Sequence, residues 1–199
     1  MHSSRLFVLF TLLTLASCAS EPEVNFKNYE GEIFGTYYRI QVGDTDRDFQ
    51  VPFDSVFGLI NTASNSYVQE SEVSDFNLTG NLKDPSFTFR DMLDSCKKFN
   101  SQSQGYFEPT LFPLLKAWGF SFEQREQMDS AKVAALKALV GFESKLIVAD
   151  SGYYAAEEGV KLDVTGLGEG YAIERVLAER SISVNTAAAG GNANLMTIG

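Results

Sequence analysis

Two carboxylates and three glycines lie close together in one short stretch of the chain. Asp163 ends an apolar run, Glu169 follows six residues later, and glycines occupy positions 166, 168 and 170. We expect the glycines in a loop that opens a helix, where closely approachable backbone amides suit an anionic group such as a diphosphate. The carboxylates would repel phosphate unless a hard cation lies between them, or unless they accept hydrogen bonds from a nucleoside or ring system. The pattern therefore favours a metal-assisted phosphate site.

A purely structural interpretation of the same residues stays open. The glycines fit an ordinary strand-to-helix turn, and Asp163 and Glu169 fit a carboxylate pair that only complements the helix dipole. The Gly-x-Gly-x-Gly spacing also has some similarity to a dinucleotide-binding fingerprint. The strand pattern around it is wrong for a Rossmann unit, so the sequence argues against that fold.

The histidine and cysteine content narrows the chemistry that the chain can support. The single histidine, His2, lies in a predicted signal peptide. The mature chain then has no imidazole for a Ser-His-Asp triad, a Cys-His pair or a histidine metal site. Oxygen ligands remain, which favours Mg²⁺ or Ca²⁺ over Zn²⁺ or Cu²⁺. Cys96 lies on the apolar face of a predicted helix, where we expect a small buried hydrophobe.

The N-terminal residues have the pattern of an export signal. Arg5 precedes an apolar run, Leu6 to Leu15, that is too short to span a bilayer, and small residues then lead to Cys18. This resembles a bacterial lipoprotein cleavage box, so we expect a signal peptide at 1–17 and a lipidated spacer at 18–28 that begins with the modified Cys18. The protein would then be exported and anchored to the bacterial membrane, at the periplasmic face of the inner membrane. An ordinary secretory signal is the alternative.

The composition predicts one acidic globular domain. The 199 residues carry a formal net charge of −10 and are 44% hydrophobic. The charge argues against nucleic acid as a partner, and the length suits a single core. Helices and strands alternate without clean βαβ units, so the predicted class is α+β, with Trp118 in the core. The predicted elements are strands at Glu32–Val42, Lys145–Ala149 and Val160–Val164, helices at Val51–Ala63, Phe87–Asn100, Ser130–Val140 and Glu169–Arg180, and a polar irregular segment at Asn65–Asn77.

Four separated segments match the motifs of one family in order. They are Ile33–Tyr37 for a Met-Gly-Thr strand, Ser66–Asn77 for a Ser/Thr-Tyr…Phe-Asn loop, Gly105–Phe120 for a Gly-x-Phe-Asp-x-Thr-x-x-Pro-Leu…Trp-Gly-Phe segment, and Asp163–Ala172 with Gly190-Gly191-Asn192 for an Asp-x-x-x-x-x-Lys/Glu-Gly-Tyr-Ala…Gly-Gly-Asn pair. Over about residues 32–194 the chain resembles the ApbE-type FAD:protein FMN transferases. Each motif alone is weak evidence for the family, and the occurrence of all four in the same order makes the resemblance specific.

The resemblance implies a fold, a reaction and a site. The fold is a T-fold-related α+β domain, here residues 29–199, with a mixed or antiparallel sheet and flanking helices. The reaction uses FAD as substrate and Mg²⁺: a threonine hydroxyl of an acceptor flavoprotein, such as a subunit of a membrane redox complex, attacks the FMN-side phosphorus, and AMP leaves. Positioning and charge neutralisation would carry most of that catalysis. The implied flavin-site residues are Phe34, Tyr67, Tyr106, Phe107, Glu108, Asp163 and Glu169, and Gly166 would offer its carbonyl to the metal.

The chain also departs from the family pattern. Phe34 stands for the usual methionine, Glu108 for an aspartate and Phe112 for a common glycine. The chain stops at Gly199, where family members continue. We therefore expect the C-terminal part of the domain to be absent, together with the Asp and Thr magnesium ligands and a histidine-containing segment. The alternative function is a lipid-anchored protein that binds or hydrolyses FAD, or that has no catalytic role.

Overall fold

The computed structural model describes residues 25–43, 46–120, 124–178, 184–185 and 193–198. The described helices are α1 Gln50–Ser64, α2 Glu72–Thr79, α3 Phe87–Gln102, α4 Phe112–Ala117, α5 Ser130–Lys137, α6 Phe142–Lys145 and α7 Thr165–Ala178, with a 3-10 helix at Pro109–Leu111. The described strands are β1 Phe26–Ile33, β2 Thr36–Gly43, β3 Asn81–Lys83, β4 Leu146–Ala149, β5 Gly152–Ala155, β6 Val184–Asn185 and β7 Ala193–Ile198. The α+β class is confirmed.

Some sequence predictions fall outside the described residues, among them the signal peptide, the lipidation site Cys18, most of the spacer and Gly190-Gly191-Asn192. Within the described ranges, no helix is both long enough and apolar enough to cross a lipid bilayer.

The first two strands form an antiparallel hairpin whose turn is Phe34-Gly35. Both turn residues have positive φ, 55° and 75°, as a two-residue type I′ turn requires. The prediction of one strand over Glu32–Val42 is therefore wrong, because the chain reverses within it. Strand β1 also takes up the last residues of the expected spacer, since it begins at Phe26. The sequence does not reveal this strand, because Tyr29 is its single buried residue and the other seven are exposed or half-buried, which leaves no clear apolar alternation.

The described strands form two sheets. The first has the order β1-β2-β7-β6, in which β2 and β7 run parallel and the other pairs antiparallel. Ile40 and Val42 on β2 are buried in the core. The second sheet has the order β3-β5-β4 and is antiparallel throughout. Gly152 is needed at its β4–β5 turn, because a Cβ there would lie 2.0 Å from the carbonyl oxygen of Leu82.

The second sheet only partly follows the sequence prediction. The predicted strand at Lys145–Ala149 is confirmed as β4, one residue shorter. The predicted strand at Val160–Val164 is wrong, because the segment joins no sheet even though Val160, Leu162 and Val164 are all buried. Strand β5 lies at Gly152–Ala155, where no strand was predicted.

The segment predicted as irregular contains a helix, so that prediction is wrong for its second half. Helix α2 begins after Ser71, whose side chain accepts from the backbone N–H of Ser74 at 3.2 Å. It ends at Gly80, which adopts the left-handed conformation that suits glycine after a helix. Both capping signals are visible in the sequence.

The remaining helices follow their apolar periodicity. Helices α1 and α3 match their predicted positions within one or two residues, and α5 ends at Lys137 rather than Val140. Cys96 is fully buried, as expected. Trp118 is not in the core: it is 42% exposed, and the guanidinium of Arg125 lies 4.8 Å above its ring.

Candidate active site

Helix α7 begins four residues earlier than the sequence predicted, at Thr165 instead of Glu169. The three glycines therefore lie in the first turns of the helix, not in a loop before it. Asp163 accounts for the early start, because its Oδ1 accepts from the backbone N–H and the hydroxyl of Thr165, at 2.9 and 2.5 Å. A carboxylate at this position also complements the positive end of the helix dipole. Asp163 therefore makes a structural contact at the helix start, in line with the alternative interpretation of this residue from the sequence.

Two aromatic rings flank the start of α7. A Cβ placed on Gly166 would lie 3.4 Å from Cε2 of Phe107, and one on Gly168 would lie 4.0 Å from Cδ2 of Phe34. Two residues along a helix correspond to about 200° of rotation. The rings of Phe34 and Phe107 therefore lie on different sides of the same helix start, with glycine backbone between them.

The ring of Phe34 is held on the β1–β2 turn in the left-handed backbone conformation, with φ 55°. This conformation costs a non-glycine residue about 1–2 kcal/mol, and Asn, Asp or Gly is the usual choice in a type I′ turn. Strained backbone of this kind is concentrated at functional sites. The turn therefore carries an aromatic residue beside α7 although its backbone conformation favours Asn, Asp or Gly.

Phe34 separates two cavities beside the hairpin turn. The first, between β2, α1 and α7, is mostly apolar and is lined by Tyr38, Phe57, Glu169 and Ile173, but its volume is only ≈ 40 Å³. The second, between the turn and α1, has a volume of ≈ 380 Å³ and is also lined by Phe34 and Phe57. Small-molecule sites usually have about 300–1,000 Å³. Of these two cavities beside Phe34, the second is the one whose volume falls in that range.

Glu108 is already fully engaged with the protein. Its carboxylate accepts from the N–H and hydroxyl of Thr110 at 2.9 and 2.5 Å, and from the N–H of Phe142 at 3.1 Å to each oxygen. Asn100 Nδ2 adds a contact of 3.3 Å. The hydroxyl of the buried Thr110 accepts in turn from the N–H of Gly141. Glu108 therefore joins α3, the 3-10 helix and the start of α6, which is a structural role that the sequence did not predict.

The structure brings the Glu108 and Asp163 segments together. The backbone N–H of Asp163 donates to the carbonyl of Pro109 at 2.7 Å. Both carboxylates also act on Cys96: burial, and then the negative charges of Asp163 and Glu108, raise the pKa of this thiol to about 12. Two predicted site segments that are 55 residues apart in sequence are thus neighbours, and the thiol beside them stays protonated at neutral pH.

The two predicted site tyrosines lie at the surface. Tyr67 is 56% exposed in the turn between α1 and α2, and Tyr106 is 92% exposed in the turn after α3. Packing in the core therefore holds neither ring in place. Phe34, Phe107, Asp163, Gly166 and Glu169 are the predicted residues that the fold gathers around the start of α7.

The described residues do not form a metal site by themselves. Within residues 25–43, 46–120 and 124–178, no three side chains of Asp, Glu, Cys or His are grouped so that they could hold a metal ion. The carboxylates of Glu108 and Asp163 both accept hydrogen bonds from the protein. Gly166 lies inside α7, where its carbonyl is expected to accept from the N–H of residue 170.

Sequence reasoning missed a polar cluster that fixes α7 against α3. The hydroxyl of Tyr171 donates to Asp91 Oδ2 at 2.6 Å, and Arg175 forms an ion pair with the same carboxylate. The guanidinium of Arg175 also lies 4.9 Å from the centre of the Tyr171 ring. The spacing of Tyr171 and Arg175 predicts one helix face, but nothing local in the sequence points to Asp91.

Comparison with known proteins identifies the family of the chain. The model of the ApbE family matches residues 34–199. The chain belongs to the ApbE family. The resemblance found in the sequence motifs is thereby confirmed.

Individual relatives are distant members of the same group. The chain is 24% identical over 187 residues to the FAD:protein FMN transferase of Haemophilus influenzae, which covers 87% of the chain and 53% of that protein. The structure of the flavin transferase ApbE from Vibrio cholerae matches with a TM-score of 0.70 at 21% identity, covering 78% of this chain and 53% of that one. The chain thus spans about half the length of these relatives. A stretch of 48 residues is also 58% identical to the bifunctional protein PutA of Salmonella typhimurium, but it covers 4% of that protein and carries no argument about the whole chain.

Proposed function

We propose that this chain contributes the flavin-nucleotide site of an FAD:protein FMN transferase. The observation that supports the proposal best is the glycine start of α7, flanked by Phe34 on one side and Phe107 on the other. A helix N-terminus with closely approachable amides suits a diphosphate, and aromatic rings suit a flavin. Family membership supports the same ligand, because the Haemophilus influenzae relative is named as an FAD:protein FMN transferase.

The proposed reaction is a phosphoryl transfer onto a threonine of an acceptor flavoprotein. The threonine oxygen forms a bond to the FMN-side phosphorus, the bond from that phosphorus to the bridging oxygen breaks, and AMP leaves with the bridging oxygen. The hydroxyl proton is lost to solvent or base. Such a reaction depends mainly on in-line positioning and on stabilising the charge of the phosphoryl group.

In this proposal the described residues bind and orient. The N-terminal amides and the dipole of α7 attract the diphosphate, while Asp163 holds Thr165 at the helix start. Phe34 gives the flavin an apolar wall beside the larger cavity. Glu108 keeps the segment that carries Phe107 in place through its contacts to Thr110 and Phe142, and it needs no contact to FAD for that role.

A requirement for Mg²⁺ is part of the proposal, although the described carboxylates do not form a site for it. The metal would neutralise phosphate charge. We assign no step to a metal bound by the described residues. Dependence of transfer on added Mg²⁺, and its loss with EDTA, tests this part on its own.

Export and lipid anchoring are proposed from the N-terminal sequence. Cys18 follows an apolar run and small residues, the pattern of a lipoprotein signal. Labelling with an alkyne fatty acid in a bacterial host should mark the wild-type protein and not the Cys18→Ser variant. Equal labelling of both proteins would contradict the proposal.

Incubation with FAD, Mg²⁺ and a threonine-bearing acceptor flavoprotein tests the activity. We expect a fluorescent flavin that stays on the acceptor in denaturing electrophoresis, with AMP released in equal amount. FAD that is bound but left intact would favour a flavin-binding protein without transferase activity. FAD that is neither bound nor consumed would contradict both functions.

A further inference from the structure

The segment before Asp163 is buried without belonging to a sheet. Leu162 has no exposed surface, yet residues 160–164 pair with no described strand. Buried backbone N–H and C=O groups need hydrogen-bond partners. The N–H of Leu162 donates to Oδ1 of Asn77 at 2.6 Å, and Nδ2 of Asn77 donates to the carbonyl of Leu162 at 2.8 Å. The side-chain amide of Asn77 thus does for Leu162 what a neighbouring strand would do.

A second contact joins the same two segments. Nζ of Lys161 donates to the backbone carbonyl of Asn77 at 2.7 Å. Asn77 lies in the last turn of α2, where carbonyls lack helical partners and a cation is favourable. The end of α2 and residues 161–162 are therefore held together through both the side chain and the backbone of Asn77.

The contacts continue from this point into the candidate site. One residue beyond Leu162, the N–H of Asp163 donates to the carbonyl of Pro109, next to Glu108. The side chain of Asp163 in turn accepts from the N–H of Thr165, the first residue of α7. A displacement of Leu162 would therefore move Asp163 and the start of α7 with it.

We propose that Asn77 is a positioning residue for the flavin site, which acts through Leu162 to set the place of Asp163 and of the N-terminal turn of α7. The proposal rests on the proposed function, because it assumes that FAD binds at this helix start. Asn77 needs no contact to FAD for this role. Only a side chain of this length that carries one donor and one acceptor satisfies both groups of Leu162.

Two substitutions and one control separate positioning from general stability. Asn77→Asp keeps the shape and the acceptor but loses the donor, and it places a second oxygen against the carbonyl of Leu162. Asn77→Ala leaves both groups of Leu162 without their partner. Asn81→Asp is the matched control, because the side-chain amide of Asn81 donates only to the nearby carbonyl of Thr79 at 3.2 Å.

Three readouts are measured at a temperature where thermal melts show every variant folded. We expect amide exchange at Leu162 to be about tenfold faster in Asn77→Ala, because its acceptor is removed. In both Asn77 variants the FAD dissociation constant should rise about tenfold, with turnover at saturating FAD within about twofold of wild type. Asn81→Asp should match wild type in all three.

The outcomes distinguish the possible failures. A lower melting temperature with unchanged FAD affinity in Asn77→Asp would overturn the positioning role and leave the proposed function intact. Unchanged exchange at Leu162 in Asn77→Ala would refute the structural contact itself. A wild-type protein that does not bind FAD would refute the proposed function, and the positioning role with it.

Discussion

The glycines of α7 offer a direct way to ask whether their spacing serves the fold or a ligand. None of the glycines at 166, 168 and 170 has the positive φ that would demand glycine, and a Cβ at each would have no contact closer than 3.4 Å. Sterically, the protein itself tolerates alanine at all three positions. Glycine inside a helix is less favourable than alanine, so the helix carries a cost that its own packing does not explain.

The expected effect on stability follows from that comparison. Gly→Ala at a position with compatible backbone stabilises by about 0.4–1 kcal/mol, and in a chain of this size 1 kcal/mol corresponds to about 2–4 °C in melting temperature. Each of Gly166→Ala, Gly168→Ala and Gly170→Ala should therefore raise the melting temperature by about 1–4 °C. Differential scanning calorimetry of the four proteins measures this shift.

The expected effect on FAD binding differs between the three positions. An added methyl at Gly166 or Gly168 would lie beside Phe107 or Phe34, on the part of the helix start where FAD is proposed to bind, whereas nothing lies within 4 Å of a Cβ at Gly170. Crowding by a methyl group costs about 1–3 kcal/mol, which corresponds to about 5- to 150-fold in affinity. Isothermal titration with FAD should show that loss for the first two variants and wild-type affinity for Gly170→Ala. Stabilised Gly166→Ala and Gly168→Ala proteins with unchanged FAD affinity would refute the ligand role of the glycines.

Three further predictions concern groups around the site. Glu108→Gln replaces one of the two oxygens that accept from the N–H of Phe142 by an NH₂ group, which is a donor. Chemical denaturation should show that the free energy of unfolding falls by about 1–3 kcal/mol. An unchanged denaturation midpoint would contradict the role of Glu108 as a structural acceptor. Burial and nearby carboxylates raise the pKa of Cys96 to about 12, so a Cys18→Ser protein should not react with Ellman's reagent at pH 8 until it is unfolded. Rapid labelling of that folded variant would contradict the expectation. Burial and the hydrogen bond to Asp91 raise the pKa of Tyr171 from its usual 10 to about 12. Stability from Tyr171 is then complete below pH 10 and is lost as the pH rises towards 12, so Tyr171→Phe should flatten the alkaline limb of a denaturation–pH profile, and an identical limb would contradict the assignment.

The elements that the sequence predicted well are those whose burial follows a regular period. Helices α1 and α3 repeat apolar residues at helical spacing, and their bounds follow from it. Alternation alone also predicted a strand at Val160–Val164, and the alternate residues are indeed buried. The strand prediction failed because the hydrogen-bond partners of this segment do not belong to a strand. Asn77 and the carbonyl of Pro109 replace the expected neighbouring strand, and no local pattern in the sequence reveals a partner 85 residues away.

The sequence did not predict the conformation and contacts of two segments of the candidate site. Glycines lower the helix propensity of residues 166–170, so the sequence placed the start of α7 too late, although Asp163 and Thr165 form the contact that begins it. Glu108 was predicted at the flavin site, but the sequence did not predict that its carboxylate accepts from the N–H of Phe142, 34 residues further on. Such long-range capping depends on how α3 and α6 pack, which single-sequence patterns do not contain.

The central claim is that the diphosphate of FAD lies at the N-terminal turn of α7. Amide chemical shifts of the ¹⁵N-labelled protein, followed during titration with FAD, test it most directly. The account predicts that the largest shifts occur at Gly166 and Gly168, in the N-terminal turn of α7, because the amide of Leu167 already donates to the carbonyl of Val164. Saturable FAD binding with its largest shifts away from the start of α7 would contradict the account.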